Sequence, residues 1–120
     1  VDAGRSATLA RRLGDGRAEV AANLAAAAVA ADGIVNATPV GMAKMPGLPL
    51  PEVLVEPRHW VADIVYFPLE TALLAAARAR GCRVLPGSGM AIYQAVRAFE
   101  LFTGLTPDPA RMLAAFEAAG

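Results

Sequence analysis

Trp60-Val61-Ala62-Asp63-Ile64-Val65-Tyr66-Phe67-Pro68 is rich in β-branched and aromatic side chains, and this predicts a central β-strand over residues 60–66. Pro68 stops it, because proline has no N–H to give a ladder. Working outward, Gly33-Ile34-Val35-Asn36 reads as a short buried strand and Arg83-Val84-Leu85 as a last one. Helical patterns separate these strands, and such alternation argues for β-α-β units and a parallel sheet, an α/β class of fold.

The helices carry their own start and stop signals. Asp2 can cap a helix over residues 3–13 that places Leu9 and Leu13 on one face and closes at Gly14 in the left-handed cap position. Residues 17–21 read as a short strand, followed by an alanine-rich helix over 23–31. Between Thr38 and Pro57 stand Pro39, Gly41, Pro46, Gly47, Pro49, Pro51 and Pro57, so a long loop is expected with at most a helical turn near 51–55. A helix over 70–80 ends with Arg78, Arg80 and Gly81. Pro86-Gly87-Ser88-Gly89 turns into a helix with Ile92, Val96 and Phe99 on one stripe, and Asp108-Pro109 open a final helix with Met112 and Phe116 on a shared face.

The bulk numbers bound the function. At 120 residues and 56% hydrophobic content the chain suits one domain with a real core. Eleven basic and eleven acidic side chains cancel, so no field favours nucleic acid or an anionic membrane. One cysteine, Cys82, excludes an internal disulfide, and with one histidine it also argues against a metal cluster. Cys82 reads as a small buried apolar group and His59 as a surface residue. A reducing, cytoplasmic setting is expected. The longest apolar run, residues 20–31, is interrupted by Asn23 and is shorter than the ~20 residues of a spanning helix. The chain opens on Val1 and its first residues read as a strand end entering a helix cap, so a piece of a longer protein is expected.

Ligands of open parallel sheets bind outside the carboxyl ends of the strands, which directs attention to three loops. Asn36-Ala37-Thr38-Pro39-Val40-Gly41-Met42 fits a plain turn as well as a binding loop. In Asp63-Ile64-Val65-Tyr66 strand alternation sends Ile64 and Tyr66 to one face and Asp63 and Val65 to the other. Tyr66 is either a hydroxyl-binding side chain or a core residue with a wet tip, and buried Asp63 needs partners that a structural hydrogen bond would satisfy. In Gly87-Ser88-Gly89-Met90-Ala91-Ile92-Tyr93-Gln94, Met90 and Gln94 share a helix face: a ligand wall, or a helix start packed on the sheet with Gln94 solvated.

In this order and spacing the three segments resemble the shikimate dehydrogenase family, including its quinate/shikimate branch, over nearly the whole chain. Pro68, Thr71, Phe99, Thr103 and Gly104 extend the likeness. The resemblance implies a Rossmann-like parallel sheet with flanking helices, incomplete because its first strands and glycine-rich turn are missing. Residues 1–105 would be a partial dinucleotide-binding domain, and 106–120 a helix packing toward a missing N-terminal substrate domain. Asn36, Ala37, Thr38 and Pro39 would line the cofactor, the backbone at Ile64 and Gly87 would approach the nicotinamide, and Met90 would pack on its ring. Tyr66 and Gln94 would touch the substrate hydroxyls.

The first residues resemble the family's cofactor-selecting segment, with Asp2 and Arg5 as candidates. An acidic side chain accepts from a 2′-hydroxyl and an arginine pairs with a 2′-phosphate. The NADP-preferring Asn-Arg-Thr pattern is not present, which leans toward NAD over NADP; Asp2 as a helix cap and Arg5 as a solvated charge is the alternative.

No Gly-x-Gly-x-x-Gly follows a strand, and the family's catalytic lysine and aspartate belong to the substrate domain, so no catalytic residue and no metal ligand is expected here. Lys44, the only lysine, is expected to face solvent. The implied activity is hydride transfer between a nicotinamide and shikimate or quinate, in aromatic amino acid biosynthesis or quinate use, by the complete protein rather than by this chain alone. A homodimer is among the expected assemblies. Two other readings stand beside it: a non-catalytic NAD(P)-binding module, and a structural remnant.

Overall fold

The computed structural model describes residues 2–118, so Val1 and the last two residues of the predicted final helix lie outside it. The described residues form two compact units, the first ending at Ala30 and the second beginning at Ala31.

The first unit holds α1 (Ala3–Leu13) and α2 (Leu24–Ala30). Asp2 caps α1 by accepting from the Arg5 amide at 3.0 Å, and Asn23 caps α2 by accepting from the Ala26 amide at 3.0 Å. The strand predicted over 17–21 does not form. Strand amides need a partner edge, and the described residues of this unit contain no other strand to supply one. Gly14 is a second correction: it is helical (φ −77°), and the left-handed residues are Asp15 and Gly16. Glycine is required at 14 by space, since a Cβ there would meet the Ala10 carbonyl and the Ala18 side chain.

The second unit contains a parallel sheet of β1 (Gly33–Asn36), β2 (Trp60–Asp63) and β3 (Arg83–Leu85), in that order. Its register pairs Val61 with Ile34 on one side and with Val84 on the other, and Asn36 with Asp63. A long loop joins β1 to β2 and contains a single 3-10 turn, Glu52–Leu54, as the prolines predict. α3 (Ala72–Ala79) joins β2 to β3 and packs on both; α4 (Gly87–Thr103) and α5 (Pro109–Ala118) pack on each other. Asp108 caps α5 by accepting from the Ala110 amide at 2.9 Å.

Period-two alternation separates the two faces of the sheet. Val61, Leu73, Ala77, Leu50, Val55 and Cys82 form the core, with Ile34 and Val84 packed against it. On the opposite face Val35, Trp60 and Leu85 remain exposed, so β1 is less buried than its composition predicts. The Trp60 indole lies over Gly33, where any Cβ would overlap the ring.

β2 ends at Asp63 rather than at Tyr66 because its neighbours end there: Asn36 is the last residue of β1, and Leu85, the last of β3, pairs with Ala62. The side-chain alternation outlasts the ladder, with Val65 buried and Ile64 and Tyr66 exposed. α4 starts at Gly87, so Gly87, Ser88 and Gly89 are its first turn rather than a preceding loop. His59 is 1% exposed, against the surface position expected for it. Its Nδ1 accepts from the Glu56 amide at 3.0 Å, which makes it a satisfied core residue.

Candidate functional site

A cavity of about 670 Å³ opens beyond the carboxyl ends of β1 and β2, within the size range of small-molecule and cofactor sites. One wall is the loop after β1, with Ala37, Thr38, Pro39, Met42, Ala43 and Lys44. The other is the segment after β2, from Ile64 to Phe67. The lining is mostly apolar, with the Thr38 and Tyr66 hydroxyls and the Lys44 ammonium as its polar side-chain groups and no acidic side chain. Such a surface suits a flat heterocycle and tolerates an anionic group at its edge.

Both walls are fixed from beneath by one buried side-chain network. Asn36 and Asp63, each 2% exposed, close the last rung of the β1–β2 ladder. Asn36 Nδ2 donates to Asp63 Oδ1 at 3.0 Å and to the Val40 carbonyl at 2.9 Å. Asn36 Oδ1 accepts from the Thr38 amide at 3.1 Å and the Thr38 hydroxyl at 2.7 Å. Asp63 Oδ1 also accepts from the Val65 amide at 3.0 Å, and Oδ2 from the Thr71 hydroxyl at 2.7 Å. Thr71 in turn caps α3 by accepting from the Leu74 amide at 3.3 Å. Every partner of Asp63 offers a proton, which is what a buried carboxylate requires. Gly41, at φ +109°, passes close to the Thr71 side chain and completes the packing of the loop on this network.

The structure therefore brings Ala37, Thr38, Pro39, Ile64 and Tyr66 to one cavity, as the strand ends imply. Asn36 belongs to the same loop but turns its side chain inward, with its donors and acceptor engaged by protein groups. Gly87 abuts the end of β2: a Cβ there would stand 2.6 Å from the Val65 carbonyl oxygen and 2.8 Å from that of Ile64. Met90 and Gln94 are exposed on the opening turns of α4 and do not line the cavity itself. The Tyr66 ring meets Phe116 of α5 at a centroid distance of 6.3 Å.

Asp2 and Arg5 lie in the first unit, where Asp2 is the α1 cap and the Arg5 guanidinium stands 3.9 Å from its carboxylate with both side chains largely exposed. Lys44 and Phe67 are cavity residues that the sequence reading did not place among the site candidates. The available signal was position: Lys44 shares a proline- and glycine-broken loop with Thr38. Lys44 is exposed as expected, but at the edge of the cavity. Among the described residues no cluster of His, Cys, Asp or Glu suits a metal ion, and no helix is long and apolar enough to cross a membrane.

Three parallel strands, helices after the second and third of them, and a crevice outside the carboxyl ends of β1 and β2 define a Rossmann-like architecture. Residues 87–115 match the family described as shikimate 5'-dehydrogenase C-terminal domain. A shikimate dehydrogenase (NADP(+)) of Streptomyces avermitilis is 57% identical over 116 residues, covering 92% of this chain and 40% of that relative. A quinate/shikimate dehydrogenase (NAD(+)) of Corynebacterium efficiens is 59% identical over 90 residues, covering 75% of this chain and 32% of the relative. Among solved structures, quinate dehydrogenase from Corynebacterium glutamicum in complex with NAD superposes with a TM-score of 0.85 at 46% identity, over 98% of this chain and 44% of that one. Shikimate 5-dehydrogenase from Thermus thermophilus in complex with NADP(H) and shikimate gives 0.81 at 37% identity, over 99% and 44%. The chain belongs to the shikimate dehydrogenase family, and it spans two fifths or less of the length of these two curated relatives.

Proposed function

We propose that this chain forms the nicotinamide side of a dehydrogenase acting on the ring hydroxyl of shikimate or quinate. The supporting observation is the cavity itself, walled by Thr38 and Ile64–Phe67 at the ends of adjacent parallel strands. Its volume and apolar lining fit one nicotinamide and its ribose. When bound, the nicotinamide supplies the hydride chemistry. The residues of this chain hold and orient: the Thr38 hydroxyl and the backbone from Ala37 to Pro39 border the ribose, Ile64 and the Gly87 backbone border the ring, and Met90 packs beyond it. Tyr66 and Gln94 take the hydroxyls of the cyclic acid, Gln94 from the exposed face of α4. A lysine and an aspartate of a further, N-terminal domain move the proton. Positioning is the contribution of this segment to rate.

For the cofactor, Asp2 favours a 2′-hydroxyl and therefore NAD, with Arg5 as its competitor for a 2′-phosphate. Support is divided, since the named relatives include both NAD(+) and NADP(+) enzymes. The setting proposed is cytoplasmic, and the assembly a homodimer. Steady-state rates of the full-length protein with shikimate and quinate, each with NAD and NADP, test the reading. Turnover of one acid with one dinucleotide is expected; no turnover of either acid together with undiminished dinucleotide binding would favour a non-catalytic module.

A further inference from the structure

We infer that Asp63 is a positioning residue that sets the separation of the two cavity walls, an inference that rests on the nicotinamide-site reading above. Asp63 does not line the cavity, and it is 2% exposed. It reaches both walls nevertheless. Through Oδ1 it holds the Val65 amide, which belongs to the wall running from Ile64 to Phe67. Through the same oxygen it holds the Asn36 amide group, and Asn36 is the hub of the opposite wall.

That second link carries orientational information. A side-chain amide can present either its NH₂ or its oxygen to a neighbour, and a carboxylate accepts only the NH₂. Asp63 therefore forces Asn36 Oδ1 toward Thr38, where it receives the Thr38 amide and hydroxyl. The other hydrogen bonds of the loop are local to it, from Asn36 Nδ2 to the Val40 carbonyl and among Pro39, Gly41, Met42 and Met45, so they shape the loop without tying it to β2. Its cavity-facing part, residues 37–44, contains no helix or strand, and it supplies six of the ten cavity residues. Oδ2 anchors the carboxylate against rotation through Thr71, whose hydroxyl is itself held at the start of α3. One carboxylate thus joins the loop after β1, the segment after β2 and the first turn of α3.

Alanine at position 63 removes all three acceptances at once, whereas asparagine can keep Oδ1 for Asn36 and Val65 while its NH₂ donates to the Thr71 oxygen. In the full-length protein, Asp63→Ala is expected to raise the Kd for the reduced dinucleotide about tenfold in a fluorescence titration, about 1.4 kcal/mol. The Thr38 amide is expected to exchange its hydrogen about tenfold faster, with the Val61 and Ala62 amides unchanged. Thr71→Ser keeps the hydroxyl donor and should hold both readouts within about twofold of the parent.

A lowered melting temperature with unchanged Kd and unchanged Thr38 exchange would overturn the inference, leaving Asp63 with a purely stabilising role. Should Asp63→Ala fail to fold, Thr71→Val removes one bond of the three and is expected to move both readouts about threefold; no movement overturns the inference. If the parent protein binds neither NADH nor NADPH, the dehydrogenase reading fails, and Thr38 exchange in the same variants still decides whether Asp63 places the loop.

Discussion

Gly87 begins α4 directly above the end of β2, and replacing it by alanine tests this junction. A Cβ at 87 would stand 2.6, 2.8 and 2.9 Å from the carbonyl oxygens of Val65, Ile64 and Asp63, where ordinary contact begins at 3.4 Å. All three obstacles are backbone, so no rotamer change relieves them; the helix must withdraw by about 0.8 Å, the deficit at Val65. Overpacking of this kind costs about 1–3 kcal/mol, and with three rigid contacts the upper end applies. Alanine returns about 0.5–1 kcal/mol through helix propensity, so the net loss is about 2 kcal/mol. For a domain of about 100 residues that lowers the melting temperature by about 8–16 °C. Gly89 provides the control within the same helical turn, because a Cβ there meets nothing within 4 Å. Gly89→Ala should leave the melting temperature unchanged or raise it. Scanning calorimetry or circular dichroism melts of the two variants decide the matter: a Gly87→Ala protein melting at or above Gly89→Ala would refute the close approach of Gly87 to the carbonyls of Asp63, Ile64 and Val65.

Further perturbations separate the remaining roles. Gln94→Ala in the full-length protein should raise the KM for the cyclic acid more than that for the dinucleotide, and equal rises would count against its place on the substrate. Lys44→Gln should raise KM for whichever ligand presents its anion at the cavity edge by about two- to fivefold at low salt, as expected for an exposed ion pair. That difference should shrink above about 0.3 M salt, where the Debye length falls well below 10 Å, and a salt-independent effect would argue against a charge contact. Leu74→Ala empties a fully buried site and should cost about 2–5 kcal/mol in denaturant unfolding, with a loss under 1 kcal/mol contradicting the burial of Leu74. His59→Ala leaves the Glu56 amide without its acceptor, so about 1–3 kcal/mol of stability should be lost while kcat stays within twofold of the parent.

The strands and most helices were legible because each carries a local signal. Asp2 and Asp108 both cap where their chemistry predicts, and Gly33–Asn36 and Arg83–Leu85 occupy the residues their apolar runs mark. What failed was decided by neighbours. Residues 17–21 have strand composition but no edge to pair with among the described residues of their unit. Residues 64–66 keep their alternation but lose their ladder because β1 and β3 stop first. His59 looks solvent-bound beside Pro57 and Arg58, yet it is buried, and its ring finds a partner three residues back in the Glu56 amide. At the site, Thr38 and Tyr66 were legible as strand-end polar groups. The Asn36–Asp63 contact spans 27 residues, so nothing local announces that these two side chains meet.

That contact also explains why the cavity stands where it does. A parallel ladder satisfies its amides only while the strands run side by side, and here all three stop within one register step of each other. Past that point the Ile64 amide still reaches the Asn36 carbonyl at 3.1 Å, but the next amide, that of Val65, has no strand to bond. Asp63 accepts it with a side-chain oxygen. Asn36 does the same for the Thr38 amide. The two polar side chains that terminate the sheet thus replace missing main-chain partners while turning both exit segments outward, one to each side of the opening. Their polarity inside an otherwise apolar layer is the local cost of stopping a sheet in order. The cavity is the space that this ordered stop leaves open.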